Sequence, residues 1–382
     1  MKKFGFASWL STVLLVLALF GLAACGDSDK ITMLEKKNKA LEKQLAELKS
    51  AGDRPSGGTP ITVLPTHSGK IYKLTYSNFF PPSHVQSRLA EAWCREIEKR
   101  TGGSVQVDYY PGQTLTKAKQ CYDGTIEGLS DIGLSVLAYT RGRFPVMSAV
   151  DLPLGYDSGK TATRIVNQVY RKFKPAEFDN VQVMYLHAHG PGLIHTRGKP
   201  VRRLEDMRGL KIRAHGTSAL VVKALGGTPV PKPMPENYEM LHKGVVQGSV
   251  HPFETNKGWN LGEVIDYATT AFSAAYTTSF FVVMNKAKWN SLPADVREVI
   301  TGINTEWAAK HGEAWDASDM EGLKYFLNQG GQIIGIEAKE QARWKKAVAP
   351  IVDEYLAKAK KKGIQNIQEI VDFIIANLNN PQ

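Results

Sequence analysis

The sequence predicts an α/β protein built as two lobes. Short segments that alternate apolar and polar residues, as strands do, follow one another with helical segments between them. That order is typical of a mostly parallel sheet with helices on its faces. It occurs twice, over residues 70–135 and again over residues 181–271. The chain beyond residue 66 holds roughly 310 residues, more than one hydrophobic core usually supports, so two lobes are expected.

The first unit is predicted in the order βαβαβ. Residues 72–77 alternate as a strand, and a helix over residues 83–100 follows with Ser83 as its N-cap. The remaining elements of this unit are a strand, a helix and a strand, at residues 105–109, 118–127 and 132–135. The unit therefore predicts a mostly parallel sheet.

The C-terminal part of the chain is predicted to be mainly helical. Pro293 begins a long helix that carries Trp307 and Trp315. Earlier, the Gly-Pro-Gly segment at residues 190–192 interrupts the strand pattern, because glycine and proline end regular structure. We interpret this segment as a crossover between the lobes.

Residues 1–24 have the pattern of an export leader. Lys2 and Lys3 precede an apolar run over residues 9–22, which ends in small residues before Cys25. This order is typical of a lipoprotein signal, and the run is too short to be preferred as a permanent membrane span. We expect cleavage before Cys25, acylation of this cysteine and a periplasmic protein anchored to a membrane by its lipid. An ordinary cleaved signal is the alternative.

Residues 31–49 are predicted to form a short coiled-coil stalk. Heptad positions a and d would be taken by Ile31, Asn38 and Leu45 and by Leu34, Leu41 and Leu48. A single Asn at an a position favours a two-stranded parallel coil, and hence a homodimer. The run is shorter than three heptads, so a single solvated helix is the alternative. The following residues, 51–65, have the composition of a flexible linker, so the anchor, stalk and linker together occupy residues 25–65.

Charge and cysteine content narrow the class of protein. The net charge is +11, and in an exported chain this favours attraction to anionic lipid headgroups or small anions. A nucleic-acid partner is not expected, because export removes the chain from nucleic acid and no basic-aromatic motif is present. Cys94 and Cys121 remain as a pair in an oxidising compartment and are predicted to form a disulfide. Two buried free thiols are the alternative.

The sequence shows few enzyme signatures. It contains no G-x-S-x-G, P-loop, C-x-x-C or H-E-x-x-H motif. His187 and His189 lie on one face of a strand, with His195 nearby, and could begin a metal site. An H-x-H pair without further ligands at fixed spacing is a weak signal. We rather expect these histidines to line or underlie a cleft, and we expect no catalytic residue and no cofactor.

Arg213 is the strongest candidate for binding a ligand. Leu210 and Ile212 would face one side of a short strand, and Lys211 and Arg213 the other. The strand stops at residues 214–216, so Arg213 lies at its carboxyl end, where open α/β sheets hold ligands. A guanidinium is always charged and offers a planar fork of donors, which suits a carboxylate or a sulfonate. A surface arginine in an ion pair is the alternative.

Residues 200–213 resemble the signature of the solute-binding proteins of tripartite ATP-independent periplasmic (TRAP) transporters, the DctP family. Further segments similar to that family follow in family order, at residues 123–133, 151–154, 244–248 and 284–289. The resemblance implies a two-lobed periplasmic binding protein fold, type II-like, with discontinuous domains and a long interlobe helix. Lobe I would then comprise residues 66–190 and 278–318, and lobe II residues 191–277 and 319–382.

The resemblance also implies a ligand-binding site. Arg213 matches the family's clamp for the acid group of the ligand. His251 stands where the family often has an asparagine that hydrogen-bonds the ligand, within a segment that departs from the usual "DGQEN". The other ligand-binding residues expected are Asn78, Phe79, His84, Ser135, Tyr139 and Met234. Leu193 occupies the position of a second arginine in sialic-acid-binding members, which favours a smaller or less polar anion.

The function implied is that of an extracytoplasmic solute-binding subunit without catalytic activity. It would capture a small organic anion, a carboxylate or sulfonate, in the interlobe cleft and deliver it to the TRAP membrane subunits. Two alternatives remain at this point. One is an exported metal-dependent enzyme that uses His187 and His189. The other is a ligand-sensing lipoprotein that dimerises through residues 31–49.

Overall fold

The structure, a computed structural model, describes residues 70–379. The predicted leader, Cys25, the stalk and the linker lie outside this range. The strands are β1 (Tyr72–Asn78), β2 (Val105–Tyr110), β3 (Ile132–Val136), β4 (Val181–Ala188), β5 (Leu193–Thr196), β6 (Lys211–Ala214), β7 (Thr228–Pro231), β8 (Gly248–His251), β9 (Tyr267–Thr269), β10 (Ser279–Asn285) and β11 (Gln332–Ile334). They form a five-stranded sheet, in the order β2-β1-β3-β10-β4, and a six-stranded sheet, in the order β11-β9-β5-β8-β6-β7.

Helices flank both sheets. The α-helices are α1 (Val85–Arg100), α2 (Cys121–Ile126), α3 (Gly159–Phe173), α4 (Gly216–Ala224), α5 (Asn237–His242), α6 (Thr255–Gly258), α7 (Lys286–Asn290), α8 (Ala294–Asn328), α9 (Ala338–Val348), α10 (Pro350–Lys361) and α11 (Ile367–Asn379). Among them, no helix is long and apolar enough to cross a membrane.

The first sheet confirms the predicted βαβαβ unit. Strand β1 pairs in parallel with β2 and β3, and β10 lies antiparallel between β3 and β4. The predicted N-cap of α1, Ser83, is wrong by one residue. His84 is the N-cap, and its Nδ1 accepts a hydrogen bond from the backbone N–H of Gln86 at 3.2 Å. An imidazole nitrogen thus performs the role that a serine hydroxyl usually performs.

The second sheet has parallel and antiparallel pairs. Strand β6 runs parallel to β7 and β8, while β5 is antiparallel to β8 and β9. The chain enters this sheet through residues 189–192 and returns to the first sheet before β10. Strands β6 and β8 are parallel neighbours, so their carboxyl ends lie at the same edge of the sheet. Arg213 and His251, which stand at these ends, are therefore brought to the same edge.

The long helix α8 packs against elements associated with each of the two sheets. It begins after Pro293, as predicted, and contacts α1, α3 and β4 as well as α6. Trp307 and Trp315 are both buried on it. The last helix, α11, returns to pack against α3, while α9 and α10 pack against α4. The predicted lobe boundaries stay a prediction.

The predicted disulfide between Cys94 and Cys121 is wrong. Both cysteines are free and buried, and they belong to different hydrophobic clusters. The Cys94 thiol donates to the carbonyl oxygen of Ala90 at 3.2 Å, one turn back in α1. The Cys121 thiol lies 3.6 Å from the carbonyl oxygen of Leu134. An oxidising compartment permits a disulfide but does not bring two sulfurs together; here each thiol packs as a small apolar side chain.

Asp151 fixes the place where the chain returns to the first sheet. Its Oδ1 accepts hydrogen bonds from the backbone N–H of Ser279 at 2.9 Å and from its hydroxyl at 2.7 Å. Ser279 is the first residue of β10. Burial raises the pKa of Asp151 to about 7, although the two bonds from Ser279 oppose this effect. The carboxyl group is therefore partly protonated in the folded protein near neutral pH.

Both cysteines should be chemically reactive only after unfolding. Residues 70–379, unfolded in denaturant without reductant, should react with two equivalents of a thiol reagent. The folded protein should react slowly, because both side chains are buried and burial raises the pKa of each thiol. Mass spectrometry of the labelled protein measures this. Fewer than two labels on the unfolded chain would indicate a bond between the sulfurs.

Asp151 predicts a pH-dependent stability. Its pKa rises on folding from 3.8 to about 7, so folding takes up a proton. The protonated Asp151 therefore adds to the free energy of unfolding at low pH. This contribution is lost as the pH rises from about 4 to 7, by up to about 1.4 kcal/mol per pH unit. Asp151→Asn should make the free energy of unfolding less dependent on pH. Part of the dependence should remain, because burial also raises the pKa of Glu177 to about 7 and of Asp319 to about 8.

Urea unfolding at pH 4 to 8 measures the effect. The control is Asp108→Asn, which changes an exposed aspartate of the same sheet. A pH dependence of Asp151→Asn identical to that of the wild type would exclude Asp151 as a source of the slope.

Candidate ligand-binding site

A cavity of about 30 Å³, within about 350 Å³ of space between the lining side chains, lies where segments of the two sheets meet. Its wall is built from strand ends. Phe79 and Phe80 follow β1, Tyr139 follows β3, His189 follows β4, and His251 ends β8. The carboxyl ends of strands in open α/β sheets are the usual position of a ligand site.

The wall is mainly aromatic. The ring of Phe280 stacks on that of Phe79 at 6.3 Å between centroids, and on that of Trp315 at 5.2 Å. Phe79 also meets Tyr139 edge-to-face at 5.9 Å and stacks with Trp259 at 6.0 Å. Aromatic pairs in these arrangements favour a ligand that contributes a further ring.

Arg213 lies behind this wall and is fully buried. Its Nε donates to the carbonyl oxygen of Lys232 at 2.9 Å, and its Nη2 lies 3.5 Å from the hydroxyl oxygen of Tyr139, which does line the cavity. Its Nη1 finds no acceptor among the described residues. A buried charged donor without an acceptor is costly, so the guanidinium is poised for an anion.

Tyr139 connects the guanidinium to the cavity. Its hydroxyl oxygen accepts a hydrogen bond from the backbone N–H of Met234 at 2.8 Å and also faces Nη2 of Arg213. Because the oxygen faces two donors, its own proton is available to a third group. Burial raises the pKa of Tyr139, with Arg213 opposing the effect, so the side chain stays a neutral phenol that can donate to an anion.

The histidines of the wall are neutral. Burial is the main cause that lowers the pKa of His189 to about 4 and those of His215 and His251 well below the usual range. The positive charge of Arg213 lowers all three pKa values further. The site therefore offers an anion one full positive charge, on Arg213, rather than several.

His251 presents an unused nitrogen. Its Nδ1 lies 3.0 Å from the carbonyl oxygen of Pro252 and contacts the hydroxyl of Thr255. We assign the proton to Nδ1 because the carbonyl can only accept. The other nitrogen, Nε2, then carries a lone pair and has no partner within residues 70–379. It can accept a hydrogen bond from a hydroxyl group of a ligand.

The structure brings most of the predicted site residues together. Phe79, Tyr139, Met234 and His251 line the cavity, and Arg213 lies directly behind Tyr139. His84 does not line it. His84 lies at an adjoining outer pocket, with its Nε2 3.0 Å from a carboxyl oxygen of Glu254.

Asn78 and Ser135 do not reach the cavity wall. The amide nitrogen of Asn78 donates to the hydroxyl of Tyr109 at 2.7 Å, and its oxygen accepts from the backbone N–H of Phe80 at 3.0 Å. The hydroxyl of Ser135 donates to the carbonyl oxygen of Ala118 at 2.7 Å. Both side chains use their polar atoms inside the first lobe. The hydrogen bonds of Asn78 instead fix the turn that places Phe79 and Phe80 at the cavity.

The histidines proposed for metal binding have other partners. Nδ1 of His187 accepts a hydrogen bond from the indole N–H of Trp315 at 3.1 Å, and its ring stacks on Phe280. His195 stacks on His251 at 3.8 Å, behind the wall. Of the three, His189 lines the cavity. Residues 70–379 contain no cluster of three or more side chains arranged to hold a metal ion.

Sequence reasoning missed several wall residues, namely His215, Trp259, Tyr276, Phe280 and Trp315. His215 has a recognisable signal, since it follows Arg213 by two residues at the same strand end. The aromatic residues have no such signal. They come from segments far apart in the chain, and only the tertiary packing places them at the cavity.

Two sheets joined by chain crossings, with a cavity between their strand ends, are the architecture of a bilobed binding protein. Residues 76–359 match the sequence model of the DctP family, described as "Bacterial extracellular solute-binding protein, family 7". The match covers more than half of the chain, and the chain belongs to this family. This result favours solute binding over a metal-dependent enzyme or a ligand-sensing lipoprotein.

Similar solved structures agree with the assignment. A TRAP periplasmic solute-binding protein from Desulfovibrio salexigens, in an open complex, is 34% identical, with a TM-score of 0.71 over 80% of this chain and 95% of the other. A TRAP solute-binding protein of an unidentified marine microbe, specific for aromatic acid ligands and complexed with metahydroxyphenylacetate, is 27% identical, with a TM-score of 0.77 over 81% and 98%. One from Bordetella bronchiseptica, with bound (R)- and (S)-mandelate, is 28% identical, with a TM-score of 0.75 over 80% and 98%.

Arg213→Lys should weaken anion binding strongly. Lysine keeps the charge but loses the planar fork, and truncating a buried charged partner costs about 2–5 kcal/mol. Calorimetry with the tightest-binding acid measures the loss. Arg208→Lys, the same change at an exposed position of the same segment, is the matched control and should bind like the wild type. Equal affinities of both variants would remove Arg213 from the site.

Proposed function

We propose that this protein is a TRAP solute-binding subunit whose ligand is a small aromatic monocarboxylate. The observation that carries the proposal is the buried Arg213, whose Nη1 has no acceptor in the described part of the chain, next to a cavity walled by aromatic rings. The guanidinium would bind the acid group, and the rings would bind the apolar body of the ligand.

The charge of the site favours a monoanion. Arg213 supplies one positive charge, and burial keeps the nearby histidines neutral. Glu254, an acidic side chain, also lines the cavity. A second carboxylate on the ligand would therefore find no further cation and would meet an acidic group of like charge.

Polar atoms of the wall favour a hydroxyl group on the ligand. The Tyr139 hydroxyl can donate to the acid group, and Nε2 of His251 can accept from a hydroxyl. Two of the similar structures support this class, because their ligands, metahydroxyphenylacetate and mandelate, are hydroxylated aromatic acids. Closure of the wall around a ligand would exclude water, which would strengthen each charge-assisted hydrogen bond.

We further infer that the chain acts by binding alone and delivers its ligand to the membrane subunits of a TRAP transporter. The similar proteins are solute-binding proteins. Anchoring through a lipid on Cys25 and pairing through residues 31–49 remain proposals from the sequence, because these residues lie outside the described range.

A thermal-shift screen of organic acids tests the proposal. Ligand at 100 times Kd should stabilise the protein by about 2.7 kcal/mol. Hydroxylated aromatic monocarboxylates should give the largest shifts. Their methyl esters, which carry no charge, should give none, and the matching aromatic sulfonates would show whether the site distinguishes the two acid groups. A larger shift with C4-dicarboxylates or uronates than with any aromatic monocarboxylate would contradict the proposed ligand class.

A further inference from the structure

A second, outer pocket adjoins the ligand cavity. It measures about 490 Å³, against about 30 Å³ for the ligand cavity, and is lined by the segment after β1, by residues after β8 and by the C-terminal half of α8. Glu254 and Trp259 line both the inner cavity and this outer pocket. These two side chains therefore border both spaces and form a partition between them.

His84 supports this partition from the outer side. Its Nε2 lies 3.0 Å from a carboxyl oxygen of Glu254, and both side chains are buried. Nδ1 of His84 accepts from the backbone N–H of Gln86, so Nε2 carries the ring's proton; Nε2 contacts the carboxylate of Glu254 without the geometry of a hydrogen bond. The backbone N–H of Glu254 donates to Asp319 at 2.8 Å. Glu254 is thus held by a hydrogen bond at its backbone and by a close contact at its side chain.

Trp259 forms the apolar half of the partition. Its ring lies 6.0 Å from that of Phe79, 5.9 Å from that of Phe80 and 5.7 Å from that of His84, between centroids. Packing behind the partition is tight, because a Cβ added at Gly258 would lie 2.7 Å from Glu254 and 2.8 Å from His84. The partition has little room to shift.

The partition lies away from Arg213. Ring contacts run from Tyr139, which faces the guanidinium, to Phe79, then to Trp259, and then to His84. A ligand whose acid group is bound by Arg213 would therefore direct its opposite end towards Trp259 and Glu254. The partition also has two origins: His84 follows β1 of the first sheet, while Glu254 and Trp259 follow β8 of the second. It is complete only when both segments meet.

We propose that the partition formed by Trp259, Glu254 and His84 determines ligand specificity in two ways. Trp259 limits the length of the ligand, and Glu254 excludes a second anionic group at the end opposite the acid. This inference rests on the proposed function, that is, on binding of an aromatic monocarboxylate through Arg213.

The test for length uses Trp259→Ala. Wild type should bind 3-hydroxybenzoate but bind biphenyl-4-carboxylate at least tenfold more weakly. Trp259→Ala should bind the longer acid about 10-fold or more tightly than wild type does, because one group too many in a closed pocket costs a factor of this size. Trp259→Phe, a milder change, should give an intermediate gain. Melting temperatures check that each variant folds.

Phe280→Ala is the matched control for length. It removes a ring that lines the inner cavity without lining the outer pocket, so it enlarges the cavity but leaves the partition intact. It should gain little affinity for biphenyl-4-carboxylate. An equal gain in Phe280→Ala and Trp259→Ala, or no gain in either Trp259 variant while 3-hydroxybenzoate still binds, would overturn the inference and leave the proposed function intact.

The test for charge uses Glu254→Gln, which keeps the size of the side chain and removes the acidic group. Calorimetry should show the ratio of the affinity for terephthalate to that for 3-hydroxybenzoate rising at least tenfold. An unchanged ratio would overturn the role of Glu254. If no aromatic acid bound the wild type at all, the proposed function itself would fail, and this inference with it.

Discussion

The candidate site depends on the guanidinium of Arg213, which is buried without a counter-ion among residues 70–379. Removing a charge from water is costly unless hydrogen bonds and opposite charges replace the water. Arg213 receives partial compensation from the carbonyl of Lys232 and the oxygen of Tyr139, and one nitrogen remains unpaired within the described chain. The same charge, together with burial, keeps the neighbouring histidines neutral. In the proposed function, one anion would complete the electrostatic balance of the site.

Several contacts at the site also join the two sheets. Tyr139 follows β3 of the first sheet, and Met234, whose N–H it accepts, follows β7 of the second. His84 and Glu254 form a second contact of this kind. Tyr139, Met234 and Glu254 also line the cavity, so contacts that join the two sheets lie at the site itself.

Close packing at the crossings explains why small residues are needed there. A Cβ on Gly192 would collide with the ring of Tyr276, and one on Gly190 with Asp319 of α8. Likewise, Gly322 of α8 packs directly against the backbone of Phe253. These approaches hold both sheets close to the long helix and bring their strand ends to one cavity. This steric requirement explains the glycines of the Gly-Pro-Gly segment, which we interpreted from the sequence as a crossover.

Local patterns of the sequence predicted the order of strands and helices, the start of the long helix at Pro293, and the position of Arg213 at a strand's carboxyl end. They could do so because periodicity and strand-ending residues are local properties. The family resemblance, carried by short motifs, was also present in the sequence. Which strand-end side chains face the cavity depends on the tertiary structure: Asn78 points away from the cavity into the protein interior, and Tyr139 lines it. The tertiary structure also kept Cys94 and Cys121 apart in separate clusters and assembled the distant aromatic wall. Those outcomes depend on how segments far apart in the chain pack together, and local pattern does not specify that packing.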